Sequence, residues 1–131
     1  MDPIADMLVT IKNGYMAQKP KVFVPYSGFK LQIAKVLEKE KVVSKVTKKS
    51  TRDLKDKPEI EIELLYEGRK PKVWQIKRVS KLGLRVYTKS KNIKKLKGGR
   101  GIVIISTPNG VMTGSEAKAK NLGGEIICQI W

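Results

Sequence analysis

The sequence predicts an α+β protein of two small domains, the first ordered α-β-α-β-β and the second β-rich with one short helix. Three observations carry that prediction: helical periodicity in two N-terminal stretches, strict alternation in EIEIELLY, and short strand-forming segments punctuated by glycine and proline beyond residue 67. With 131 residues, 40% of them hydrophobic, the chain has the material for one ordinary domain or two very small ones.

DPIADMLVTIKNG reads as an amphipathic helix. Asp2 can cap it, Pro3 suits its first position, Ile4, Met7, Leu8 and Ile11 form the apolar stripe, and Asn13-Gly14 is expected to end it. VFVP, residues 22–25, is a short strand, after which Ser27 can cap a second helix whose stripe is Leu31, Ala34, Val36 and Leu37. VVSKV is a strand and the polar stretch from Lys48 to Pro58 a loop. In EIEIELLY the period of two turns Ile60, Ile62 and Leu64 inward and leaves Glu59, Glu61 and Glu63 in water. Gly68 and Pro71 punctuate EGRKPK, where the domain boundary is placed, giving domains 1–66 and 67–131.

Strands are expected in the second domain at Val73 to Val79, Leu84 to Thr88, Gly101 to Thr107 and Glu125 to Ile130. Thr113 and Glu116 have the spacing of a capping box, so TGSEAKAKN should open a short helix that stops near Gly123-Gly124. ISTPNGVMT, residues 105–113, then falls between a strand and that helix as a hairpin-like turn.

The formal charge is +16, from 28 Lys and Arg against 12 Asp and Glu, and the sequence pI is about 10.0. So one-sided a balance implies a polyanionic partner: nucleic acid, an anionic membrane surface or a heparin-like polymer. No apolar run approaches the roughly 20 residues of a spanning helix, and MDPIADM lacks the basic and apolar regions of a signal peptide. A soluble, unprocessed protein with no membrane partner is expected. Cys128 is the single cysteine, which excludes an intramolecular disulfide, leaves too few soft ligands for zinc and suits a reducing cytosol. Histidine is absent, removing the usual general base and commonest metal ligand. No cofactor, no metal and no enzymatic activity are expected.

The charge is unevenly distributed. Gly68 to Arg100 carries 13 basic residues and no acid, whereas Gly101 to Trp131 is neutral. Because the belt mixes cations with strand formers and aromatics, it reads as a folded phosphate-binding surface in which Lys94 and Lys95 take part, against the alternative of a merely solvated face. In LRVYT the alternation puts Arg85 and Tyr87 on one face, where a base could stack; an ordinary strand tyrosine fits the spacing equally well. Trp74 and Trp131 read as packing residues. GGEIICQIW joins two glycines, which permit close backbone approach, to Glu125, which can accept from base amino groups; a helix stop followed by a strand is the alternative. Ser106 and Thr107 lack both a base and a nucleophile elbow, and KGGRG lacks P-loop spacing.

Three segments in order, DPIADMLVTIKNG, RVSKLGLRVY and ISTPNGVMTGSEAKAKNLGGEIICQIW, closely resemble bacterial and organellar ribosomal small-subunit protein eight, the S-eight family. The resemblance spans essentially the whole chain and is most specific in the last segment. It implies a two-domain α+β protein that binds the central domain of small-subunit rRNA early in assembly, beside other small-subunit ribosomal proteins. In enterobacterial relatives it also implies repression of the protein's own operon through an mRNA mimic of the rRNA site. By resemblance the RNA-binding surface comprises Ser106, Thr107, Gly110, Tyr87, Gly123, Gly124 and Glu125. Asn109 and Arg85 adjoin it, and first-domain lysines such as Lys30 and Lys57 are assigned to the RNA backbone. Pro108-Asn109 stand where the family commonly has Ser and Lys or Gln, Leu82 replaces a common Pro, and Gly114 a common Asp. The expected protein is monomeric when free and resides in the ribosome, of the cytoplasm or of an organelle's stroma or matrix. A general architectural nucleic-acid binder and a small RNA-processing enzyme are the rival readings.

Overall fold

The computed structural model describes residues 2–49, 58–68, 70–71, 75–81, 83–93 and 101–131. The expectations for Lys57, Trp74, Leu82, Lys94 and Lys95 lie outside these residues. The architecture is α+β, in two compact units: Asp6–Val73, and Met1–Ala5 together with Trp74–Trp131.

The first elements follow the predicted order: α1 (Pro3–Met16), β1 (Lys21–Pro25), α2 (Gly28–Lys39), β2 (Val43–Lys49) and β3 (Glu59–Leu64). Asp2 and Ser27 cap the two helices as expected: Oδ1 of Asp2 accepts from Ile4 N at 3.1 Å, and Oγ of Ser27 from Lys30 N at 3.1 Å. The predicted stop at Asn13-Gly14 is overturned, because α1 runs through it to Met16. Gly14 serves closeness instead, since a Cβ there would strike Cγ1 of Val22. α1 actually ends where Gln18 turns left-handed (φ 54°) and Lys19 N bonds Gly14 O at 2.9 Å. α2 ends in the same way at Lys41 (φ 60°), with Val42 N donating to Leu37 O at 2.9 Å. Its buried stripe is Lys30, Ile33, Ala34 and Leu37; the predicted Leu31 and Val36 are only half-buried, so the inward face lies one position round from the expected one.

The three strands form an antiparallel sheet in the order β1-β3-β2. Met7, Leu8, Ile11, Val22, Val24, Ile33, Leu37, Val46, Ile60, Ile62 and Leu64 are its buried apolar residues. Burial of each such side chain is worth about 1.5–3 kcal/mol. The edge of β2 is closed by α2: Val46 N donates to Oε2 of Glu38, and Val46 O accepts from Nζ of Lys35 at 3.0 Å. Tyr15 links distant chain segments, donating its hydroxyl to Val42 O while accepting from Leu65 N at 3.1 Å. Burial pushes its phenol pKa up, which keeps that donor protonated.

The face expected to be wholly wet is not. Glu61, central in β3, has a side chain only 8% exposed, roofed by Lys21 at 2.9 Å and Lys49 at 3.3 Å. The hydrogen bond from Lys21 is the largest cause holding the Glu61 pKa below its ordinary value. A two-stranded ribbon, β4 (Tyr66–Glu67) with β5 (Lys70–Pro71), turns at left-handed Gly68 (φ 66°).

In the other unit, β6 (Ile76–Arg78), β7 (Tyr87–Thr88), β8 (Ile102–Thr107), β9 (Gly110–Thr113) and β10 (Gly124–Ile130) make an antiparallel sheet in the order β6-β10-β8-β9. β10 is its axis, pairing β8 on one edge and β7 and then β6 along the other. A bulge at Ile127 marks the change of partner. Its carbonyl accepts from Arg78 Nη1 at 2.7 Å, while Arg78 Nε holds Asp2 at 3.1 Å. Burial works to raise the Asp2 pKa, but the Ala5 N–H and the Arg78 guanidinium outweigh it and hold it low. α3 (Gly114–Ala119) begins at the predicted cap, with Thr113 Oγ1 accepting from Glu116 N at 3.2 Å. It does not end at Gly123-Gly124. Asn121 turns left-handed (φ 57°) and Leu122 N closes on Ala117 O at 2.8 Å, so no glycine is used. Ile105, Met112 and Ala117 form the core beneath α3, flanked by Ile93, Val103 and Leu122. Cys128 is buried, its thiol pushed up to about 12, which makes it unreactive as a nucleophile in the fold.

Replacing Tyr15 with Phe strands Val42 O and Leu65 N and should lower stability by about 1–3 kcal/mol in urea unfolding, without changing the m-value. The depressed Glu61 pKa contributes stability that is present above the ordinary carboxylate value of 4.5 and lost as pH falls through the folded value. Glu61→Gln should therefore flatten the acid limb of a stability–pH curve, and an unaltered acid limb would remove this role from Glu61.

Candidate nucleic-acid interface

Directly opposed residues of antiparallel strands project from the same face of a sheet. Tyr87 opposes Glu125, Glu125 opposes Ser106, and Ser106 opposes Val111. The four side chains therefore make one row across β7, β10, β8 and β9. Further along the same face, Ile104, Cys128 and Ile130 are buried. The row is the open end of a face that is otherwise core.

Tyr87 is 69% exposed, leaving its ring available for stacking. Arg85 joins the row through its side chain, Nη1 donating to Oε1 of Glu125 at 3.0 Å. The guanidinium neutralises the carboxylate, so the row presents an aromatic ring, an ion pair, a hydroxyl and methyl groups with no net charge. The strand carrying Tyr87 is shorter than predicted. Leu84 is 64% exposed and instead bridges Lys81 around left-handed Gly83.

The Pro108-Asn109 turn is the tip of a hairpin whose second strand, β9, runs from Gly110 to Thr113 and lies between the predicted strand and the predicted helix. Thr107 opposes Gly110 across the Pro108-Asn109 turn. Oγ1 of Thr107 donates to Gly110 O at 2.8 Å and accepts from Asn109 N at 3.2 Å, and the residue is buried. Gly110 has φ 115°, a conformation closed to ordinary side chains. Thr107 and Gly110 thus shape the turn, which leaves Ser106 in the row and Pro108 and Asn109 exposed at the tip.

Gly123 and Gly124 set the spacing of the row. A Cβ on Gly124 would overlap the carbonyl oxygen of Ser106, and one on Gly123 the carbonyl oxygen of Thr88. Both glycines let backbone meet backbone where β10 passes between its neighbours. Of the expected site residues, Ser106, Thr107, Asn109, Gly110, Arg85, Tyr87, Gly123, Gly124 and Glu125 are all in this unit. Lys30 lies in the other unit, on the inward stripe of α2 and 6% exposed. Sequence reasoning did not single out Val111, which ends the row, nor Lys89 and Lys91, although TKSKN follows Tyr87 directly in the basic belt.

Comparison with known proteins places the chain first among ribosomal proteins. More narrowly, it belongs to the family described as Ribosomal protein S8, whose model matches residues 2–131. It is similar to the small ribosomal subunit protein uS8 of Aromatoleum aromaticum, 45% identical over 129 residues, which are 98% of this chain and 96% of that protein. The protein of the same name from Roseiflexus castenholzii is 44% identical over 131 residues, covering 99% and 97% of the two chains. That of Tolumonas auensis is 46% identical over 129 residues, covering 98% and 96%.

Gly124→Ala should cost about 1–3 kcal/mol in urea unfolding, because the Ser106 backbone must retreat. Gly28→Ala is the control: nothing lies within 4 Å of an added Cβ there, and stability should hold or rise. Equal losses in the two variants would show that the close approach at Gly124 is not what the residue is for.

Proposed function

We propose that this chain is a structural constituent of the small ribosomal subunit that binds the central domain of small-subunit rRNA and supports subunit assembly. The observation that carries the proposal is the uncharged row Tyr87–Glu125–Ser106, set in a protein of charge +16 from a ribosomal protein family. Phosphate contacts fix position and carry no sequence information, whereas base edges and sugar hydroxyls are read by short polar groups and aromatic planes. The basic belt supplies the first kind of contact and the row the second. Neighbouring ribosomal proteins are the remaining partners, the free protein is a monomer in the ribosome's compartment, and an mRNA segment that copies the rRNA site would be bound on the same terms.

The test is binding to an RNA hairpin with an irregular internal loop, against an unbroken RNA duplex and duplex DNA, at physiological salt. The hairpin should bind most tightly, and equal affinities would sink the proposal. Ser106→Ala should weaken hairpin binding by about 1–3 kcal/mol with little change in salt slope, whereas substituting Lys94 and Lys95 should flatten the slope.

A further inference from the structure

Beside Tyr87 the surface opens into a cleft of about 750 Å³ lined by Tyr87, Thr88, Lys89, Lys91 and Asn92. Among these described lining residues two are cationic and none is acidic. Its wall is the segment from β7 into the 3₁₀ turn Ser90–Asn92. Three contacts hold that wall. Gly124 opposes Thr88 in the ladder, the absence of a side chain on Gly123 lets β10 press against the backbone of Thr88, Lys89 and Ser90, and Ile93 packs in the core beneath α3. The described wall of the cleft is thereby tied to the sheet.

Its charge complements the row next to it. In the row the one cation, Arg85, is engaged by Glu125, so a nucleotide lying on Tyr87 and Ser106 meets no uncommitted cation among the row's own side chains. A phosphodiester is attached to every such nucleotide, within one sugar of its base. The cleft that adjoins Tyr87 offers that group the ammonium groups of Lys89 and Lys91, with the Asn92 amide as a neutral donor.

We propose that this cleft is a phosphodiester subsite, in which Lys89 and Lys91 hold the backbone of the nucleotide whose base lies against Tyr87. It rests on the RNA-binding reading above and adds to it a specific location for the phosphate. The subsite also gives Gly123 a second consequence: the close approach that aligns the row fixes the cleft wall as well.

The experiment measures binding of the full chain across a salt series, using the looped RNA hairpin and a uridine dodecamer as separate probes. Lys89→Gln/Lys91→Gln should lower the slope of log K against log salt by about 1.4 on both, from two single-strand contacts at about 0.7 each. Lys118→Gln/Lys120→Gln on and after α3 makes the same charge change away from the cleft and should lower it by much less. Thermal melting of both variants should match the parent, since the four lysines are exposed. An unchanged slope for the Lys89/Lys91 variant, or equal losses for the two variants, would overturn the subsite. Neither result depends on whether the hairpin is preferred over duplex, which tests the rRNA reading separately.

Discussion

The carbonyl oxygen of Ser106 occupies the space that a side chain at residue 124 would need. That steric fact fixes how closely β8 can approach β10, and the same holds for the Thr88 carbonyl and residue 123 on the other edge. β10 is the only strand touching β6, β7 and β8 among the described residues, so its spacing sets the geometry of the whole sheet. Tyr87, Glu125 and Ser106 come together from three separate parts of the chain because of it. A phenol, a paired carboxylate and a hydroxyl would otherwise be unrelated groups on a basic surface.

Neutrality at this point makes physical sense. A protein of charge +16 binds any polyanion, and that attraction falls steeply with salt without distinguishing one sequence from another. Selectivity needs groups that gain little from a bare phosphate and much from a base or sugar edge. Pairing Glu125 with Arg85 commits the one cation of the row to a carboxylate, so that it is not free for a bare phosphate. Thr107 is buried and bonded within the hairpin, whereas its neighbour Ser106 lies in the row.

Much of this was legible in the sequence. Period-two alternation located β3, capping residues located the starts of α1, α2 and α3, and the neutral C-terminal segment supplies Ser106, Val111 and Glu125 of the row. The errors share one cause. Glycine predicts a helix stop at Asn13-Gly14 and Gly123-Gly124, yet α1 and α3 end on left-handed Gln18 and Asn121, and these glycines serve close packing. Local sequence cannot distinguish the two uses, because the atoms that forbid a side chain at Gly14 belong to Val22 and Leu64, and those at Gly124 to Ser106 and Ile105. The partial burial of Glu61 was hidden for a similar reason. Alternation says which face a residue is on, but the lysines that roof it come from the two neighbouring strands.

The central claim is that the uncharged row reads RNA while the lysines hold its phosphates, and amide chemical-shift mapping on the full chain separates the two directly. Titration with the looped RNA hairpin should move the amides of Tyr87, Ser106 and Glu125, whereas titration with heparin at the same charge concentration should move lysine-rich segments, the cleft beside Tyr87 included, and leave Ser106 and Glu125 still. A row that stays silent to the hairpin, or responds to both polyanions alike, would contradict it.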